Sequence, residues 1–181
     1  MEDWNEKLIT ATRTGDSGAL KLCLQNDADI DYQGVRGWTA LMWAARRGHL
    51  EICKLLIDTG CKIDTTDVDG WTALMLAAMY GHLEICRLLI DTGCKIDTTN
   101  INGYTALHIA AQSGHLQTTR CLVEQGGASP LVTTHKGKTP YDVAAAVKLG
   151  QYREVMEYLQ SVMSEKSSGV TAGQGMEGNF H

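Results

Sequence analysis

Between Thr39 and Gly70 the apolar positions fall into two short stripes. Ala40, Leu41, Ala44 and Ala45 outline a narrow helix, and after Gly48 the residues Leu50, Cys53, Leu56 and Ile57 recur at three- and four-residue spacing. The pattern predicts two helices, the first ending at Gly48 and the second running from about Leu50 to Asp58. Thr39 can cap the first through its hydroxyl, because the first turn of a helix carries N–H groups without partners. Gly60 suits the left-handed position that ends the second. From Ile63 to Gly70 the periodicity stops, which predicts an extended finger turning at Asp69-Gly70.

The same pattern returns every 33 residues. Residues 38–70 and 71–103 are identical at 26 of 33 positions, and 104–137 continue the pattern with one extra residue near Gly126-Gly127. Residues 5–37 fit upstream, and 138–163 fit downstream with about two added residues near Val147-Lys148. Helices of about eight residues do not persist alone. Each unit must therefore bury its apolar face on the next, in a solenoid whose terminal units act as caps. From Ser164 to His181 the chain is Ser/Gly-rich and aperiodic, and is expected to be a flexible tail.

Composition sharpens the picture in one respect. The only phenylalanine among 181 residues is Phe180, so the core must be built from small and aliphatic side chains, as thin helical layers require. A net charge of −5 argues against nucleic-acid binding, which needs a concentrated basic face. No apolar run approaches the ~20 residues of a membrane helix. The acidic start, Met1 to Glu6, is unlike a signal peptide. These features lead us to expect a soluble protein of the cytoplasm, or of the nucleus.

Thr-Ala-Leu-His-Ile-Ala-Ala at 105–111, Gly-His-Leu-Glu at 48–51 and 81–84, and Thr-Pro at 139–140 resemble the ankyrin repeat family over about residues 5–163. The resemblance implies an all-α solenoid of five helix-turn-helix units with β-hairpin-like fingers projecting sideways, and a concave face that binds other proteins. Two departures stand out. Met42 and Met75 occupy a position where the family usually has histidine, kept here as His108, and Cys61 and Cys94 replace its usual alanine. Some ankyrin domains are hydroxylated at the finger position matching Asp64 and Asp97, so modification there is a further option. Such arrays are often pieces of longer proteins.

No constellation of residues in the sequence reads as catalytic. His49, His82 and His115 could form a metal or proton-relay ladder, but equivalent positions lie one helix layer apart, about 10 Å. Zinc–nitrogen bonds are near ~2 Å, so a backbone-bonded turn histidine is the better reading. Cys53 and Cys86, like Cys61 and Cys94, are repeat equivalents too far apart for a disulfide. Cys23 and Cys121 read as packing residues, and a redox role is open only for Cys61 or Cys94. Asp64, Asp67 and Asp69 cluster on one finger without the spacing of a calcium loop and read as solvated turn residues. No phosphate loop, nucleophile elbow or HExxH occurs. The expectation is a non-enzyme without metal or cofactor.

The two near-copies differ at seven positions: Trp43/Leu76, Arg46/Met79, Arg47/Tyr80, Lys54/Arg87, Asp67/Asn100, Val68/Ile101 and Asp69/Asn102. Five of these fall at the end of the first helix or at the fingertip, which face one side in the ankyrin arrangement. Either they mark a contact surface or they are solvent-exposed drift. Trp38, Trp71 and Tyr104 add an aromatic row that either borders the concave face or packs on its own fingers. Trp43 is expected to face the core. The candidate partner-binding patch is Arg36, Trp38, Arg46, Arg47, Asp69, Trp71, Met79, Tyr80, Asn102, Tyr104 and Gln112. It suits a partner segment with acidic and apolar groups. The function implied is a monomeric adaptor or scaffold for a protein partner, with a regulatory inhibitor of an enzyme or transcription factor as the alternative.

Overall fold

The computed structural model describes residues 3–147 and 150–171. Ten α-helices fall into five successive pairs among these residues: α1 (Trp4–Thr14) with α2 (Ser17–Gln25), α3 (Ala40–Arg47) with α4 (Leu50–Asp58), α5 (Ala73–Met79) with α6 (Leu83–Asp91), α7 (Ala106–Gln112) with α8 (Leu116–Glu124), and α9 (Pro140–Ala145) with α10 (Arg153–Thr171). The first helices of each pair pack on one another from α1 to α9, and α4, α6, α8 and α10 form a second row behind them. The first row can approach closely because its contacts are alanines: Ala40, Ala44, Ala45, Ala77, Ala78, Ala110, Ala111 and Ala144 are all fully buried. Leu56, Leu89, Leu122 and Leu159 fill the space between the rows.

Threonine starts four of the inner helices as the spacing predicts. Thr39, Thr72, Thr105 and Thr139 accept hydrogen bonds from the amides of Met42, Met75, His108 and Asp142 at 3.2–3.4 Å. The histidines that open α4, α6 and α8 make no such cap. Their Nε2 atoms donate instead to carbonyls of the preceding unit: His49 to Arg13 at 3.4 Å, His82 to Arg46 at 3.1 Å and His115 to Met79 at 3.0 Å. Each ring lies against the preceding turn glycine. A Cβ at Gly48 or Gly81 would come within 2.7 Å of the ring of His82 or His115. The three histidines are therefore joints between units.

The fingers are hairpin-like turns with no strand assigned among the described residues. In the second and third fingers the amides of Asp67 and Asn100 donate to the carbonyls of Trp71 and Tyr104, both at 3.0 Å. Neighbouring fingers are tied by Val68 N–H to the Arg36 carbonyl, Ile101 to Asp69, and His135 to Asn102. Aspartates lower on the fingers do the same work, with Asp31 accepting from the Lys62 amide at 2.7 Å and Asp64 from the Lys95 amide at 2.8 Å. These contacts correct the reading of the finger aspartates as solvated turn residues. Asp67 is 9% exposed, with both carboxylate oxygens engaged.

The last helix continues to Thr171, past the end expected near Met163. Ser164, Ser167 and Ser168 turn their hydroxyls back onto carbonyls four residues earlier, at 2.9–3.0 Å, and so do not stop it. The remainder of the expected tail, 172–181, lies outside the described residues.

Candidate functional site

Two adjoining repeat boundaries on the finger side each leave a hollow between successive inner helices and fingers. The larger, of about 500 Å³, is lined by Val35 and Arg36 of the first finger, Trp38, Trp43 and Arg46 of α3 and its approach, Asp67 and Asp69 of the second finger, and Trp71, Leu76, Met79 and Tyr80 of α5 and its flanks. A second, of about 340 Å³, lies one unit along and is lined by Trp71, Asn100, Asn102, Tyr104, Ile109, Gln112, His135 and Lys136. Trp71 is common to both. Ten of the eleven patch residues thus line two adjoining hollows; Arg47 is exposed and lines neither.

The first hollow is built around the Arg46 guanidinium. Its carbon lies 5.4 Å from the Trp38 ring centroid and 5.7 Å from those of Trp43 and Tyr80, and Nε donates to the Tyr80 hydroxyl at 3.3 Å. Cation–π attraction to three rings holds the side chain in place, and its terminal N–H groups have no acceptor among the described residues. Arg36 forms an ion pair with Asp69 of the next finger. Trp43 meets the expectation that it faces the core only in part. Its equivalents Leu76 and Ile109 are buried and Trp43 packs against the same core, but its larger indole also reaches the hollow, where its centroid lies 4.6 Å from that of Trp38 with the rings tilted by 54°.

The aromatic row is anchored in an uneven way. Trp38 Nε1 donates to Asp67 Oδ2 at 2.9 Å, while Asp67 Oδ1 accepts from the amides of Asp69 and Trp71. Asn100 repeats the backbone part, its Oδ1 accepting from Asn102 and Tyr104 at 3.0 Å. Its other terminal atom is an amide donor, which cannot receive an indole N–H. Trp71 Nε1 accordingly has no acceptor among the described residues. The row is neither purely finger packing nor purely surface, since each ring is half-buried and borders a hollow.

Residues outside the patch also belong to this face. Val35, Val68 and Ile101 stand at 85%, 66% and 61% exposure in equivalent fingertip positions. Their 33-residue spacing was a signal available in the sequence. His135 and Lys136 complete the second hollow, and only the extra residue in the fourth unit obscured their register.

No cluster of His, Cys, Asp or Glu able to hold a metal occurs among the described residues. All six cysteines are free and buried. Burial pushes the thiols of Cys53 and Cys61 up to about 12 and that of Cys94 up to about 11, with the carboxylates of Asp31 and Asp64 adding to the effect at Cys61 and Cys94. A reactive thiol needs thiolate character, which these surroundings oppose. The native protein at pH 8 is expected to show no fast phase with a chromogenic disulfide reagent, its thiols reacting only on unfolding. A fast phase lost in Cys61→Ala or Cys94→Ala would reinstate a redox site.

No described helix is long and apolar enough to cross a membrane. No curated protein matches the chain. A family model for ankyrin repeats, three copies long, matches residues 8–100 and again 92–168. Together with the stacked helix pairs and lateral fingers, that match covers nearly all of the described chain. The chain belongs to the ankyrin repeat family.

Proposed function

We infer that the protein is a non-catalytic adaptor that holds a protein partner across the two hollows of its finger side. Ankyrin repeats are generally protein–protein interaction modules. The observation carrying the reading here is the convergence of Trp38, Trp43, Arg46, Trp71, Met79 and Tyr80 on one concavity. Tryptophan, tyrosine and arginine in a partly desolvated depression are the residue types that dominate binding energy. The six buried thiols suit a reducing compartment, the cytoplasm or nucleus.

Affinity capture from cells, followed by titration of the purified partner, tests this. Trp71→Ala and Tyr80→Ala are each expected to weaken binding by about ten-fold or more. Tyr80 is 43% exposed, so its replacement is expected to change stability by less than ~1 kcal/mol. Unchanged affinity in both variants would move the interface elsewhere. A partner whose own activity falls on binding would make the chain an inhibitor rather than a scaffold.

A further inference from the structure

The two hollows share an aromatic wall but differ in their polar groups. The first holds two carboxylates, Asp67 and Asp69, alongside Arg36 and Arg46. In the second, Asn100 and Asn102 stand at the equivalent positions, and no carboxylate lines it. What converges there is a set of donors. Trp71 Nε1, the Asn100 amide nitrogen and Lys136 Nζ have no hydrogen-bond acceptor among the described residues, and the Gln112 side chain is likewise unengaged. Asn100 as a whole is 6% exposed, and no buried side-chain nitrogen or oxygen among the described residues lacks a partner, so its unpartnered amide nitrogen is open to the hollow.

Charge points the same way. Lys136 at the second hollow, Arg46 at the first and Arg13, which stacks 5.9 Å from the Trp43 ring, have no acidic partner among the described residues. Three cations, Arg36, Arg46 and Lys136, line the two hollows against two carboxylates, Asp67 and Asp69, and both carboxylates lie in the first; the second hollow therefore carries a lysine alone on a chain whose net charge is −5. Donors gathered with one lysine and no acceptor charge match a carboxylate, whose oxygens accept several hydrogen bonds at once.

We propose that the second hollow is a receptor for a carboxylate side chain of the protein partner, held by Trp71 Nε1, Asn100 and Lys136 while a large apolar side chain of the same segment fills the first hollow. The proposal rests on the reading of the concave hollows as the binding face. It gives the Asp67-to-Asn100 difference a purpose. Both residues brace the finger in the same way, but only the amide frees the indole N–H and removes the repelling charge.

The test uses the full chain and a displayed library of random twelve-residue peptides. Recovered binders are expected to be enriched in Asp or Glu beside Trp, Phe, Leu or Met. Asn100→Asp copies the Trp38–Asp67 arrangement already present one unit earlier, so it should fold as the parent does. It is expected to lower peptide affinity at least ten-fold, as is Lys136→Glu at an exposed position. Changing the peptide's acid to its amide should weaken binding to the parent, with little further loss in Asn100→Asp. No binders, binders without acid enrichment, or affinity unchanged in both variants would overturn the proposal. Binders lost in Tyr80→Ala but indifferent to Asn100→Asp and Lys136→Glu would overturn the carboxylate site alone. Binders indifferent to all three would overturn the concave reading too.

Discussion

Gly103→Ala is expected to destabilise the protein by about 3 kcal/mol or more, against about 1–2 kcal/mol for Gly60→Ala. Both glycines have positive φ, +78° and +94°, where a Cβ strains the backbone. They differ in what that Cβ would meet. At Gly60 nothing lies within 4 Å, so only the backbone penalty applies. At Gly103 it would stand 2.6 Å from the backbone nitrogen of His135 and from its ring. That nitrogen donates to the Asn102 carbonyl at 3.2 Å, so relieving the collision means parting the third and fourth fingers. Urea unfolding of the two variants beside the parent measures the difference. Equal losses would show that the fingers separate freely and that only the φ angle matters.

His108→Met is expected to lower stability at pH 7 by about 1–3 kcal/mol and to flatten its dependence on acid. His108 is fully buried; its Nδ1 accepts from the Thr105 amide at 3.2 Å and its Nε2 donates to the Lys138 carbonyl at 2.9 Å. Methionine fits the site sterically, as Met42 and Met75 show at the equivalent positions, each 1% exposed. It cannot replace the bonds.

Burial holds the His108 imidazole below its ordinary value of 6.5, outweighing the carbonyl hydrogen bonds that favour the charged ring. The unfolded chain therefore takes up a proton near pH 6.5 that the folded one refuses. The stability due to the neutral ring is complete above that pH and declines as the pH falls from about 6.5 toward the folded-state value, by at most about 1.4 kcal/mol per pH unit. Curves of unfolding free energy against pH for parent and variant should converge between pH 7 and 5. Parallel curves would assign the acid sensitivity to other groups.

The fold was largely legible because the same physical constraint is written several times over. Each Thr cap, each turn glycine and each Ala-rich inner helix recurs at 33 residues, so a local ambiguity in one unit is resolved by its neighbours. The end of α10 was not legible in this way, since it has no following unit to compare and its serines satisfy their own hydroxyls within the helix. The site was partly legible. Variable positions between the near-copies, together with the aromatic row that follows the finger glycines, point to eight of the ten patch residues that line the hollows. They also led to Arg47, which is exposed beyond them, because helix-end position alone does not say which way a side chain leaves the last turn. Trp43 has the register of a core residue and does pack against the core, and only its size, set against the room available, also brings it to the hollow. The different duties of Asp67 and Asn100 depend on which atoms face one another, which spacing along a chain does not encode.

The joints between units have a consequence for how such a molecule changes length. Every tie described between α3–α4 and α5–α6 has one end in each unit: His82 on the Gly48 turn, Lys95 on Asp64, Ile101 on Asp69. The two ends of a unit are complementary to each other, like the ends of a brick. A tandem copy of 38–70 would arrive with both halves of each joint already made. Growth by duplication therefore asks for no newly invented interface, and two adjoining segments that still share 26 of 33 residues are what such growth leaves behind.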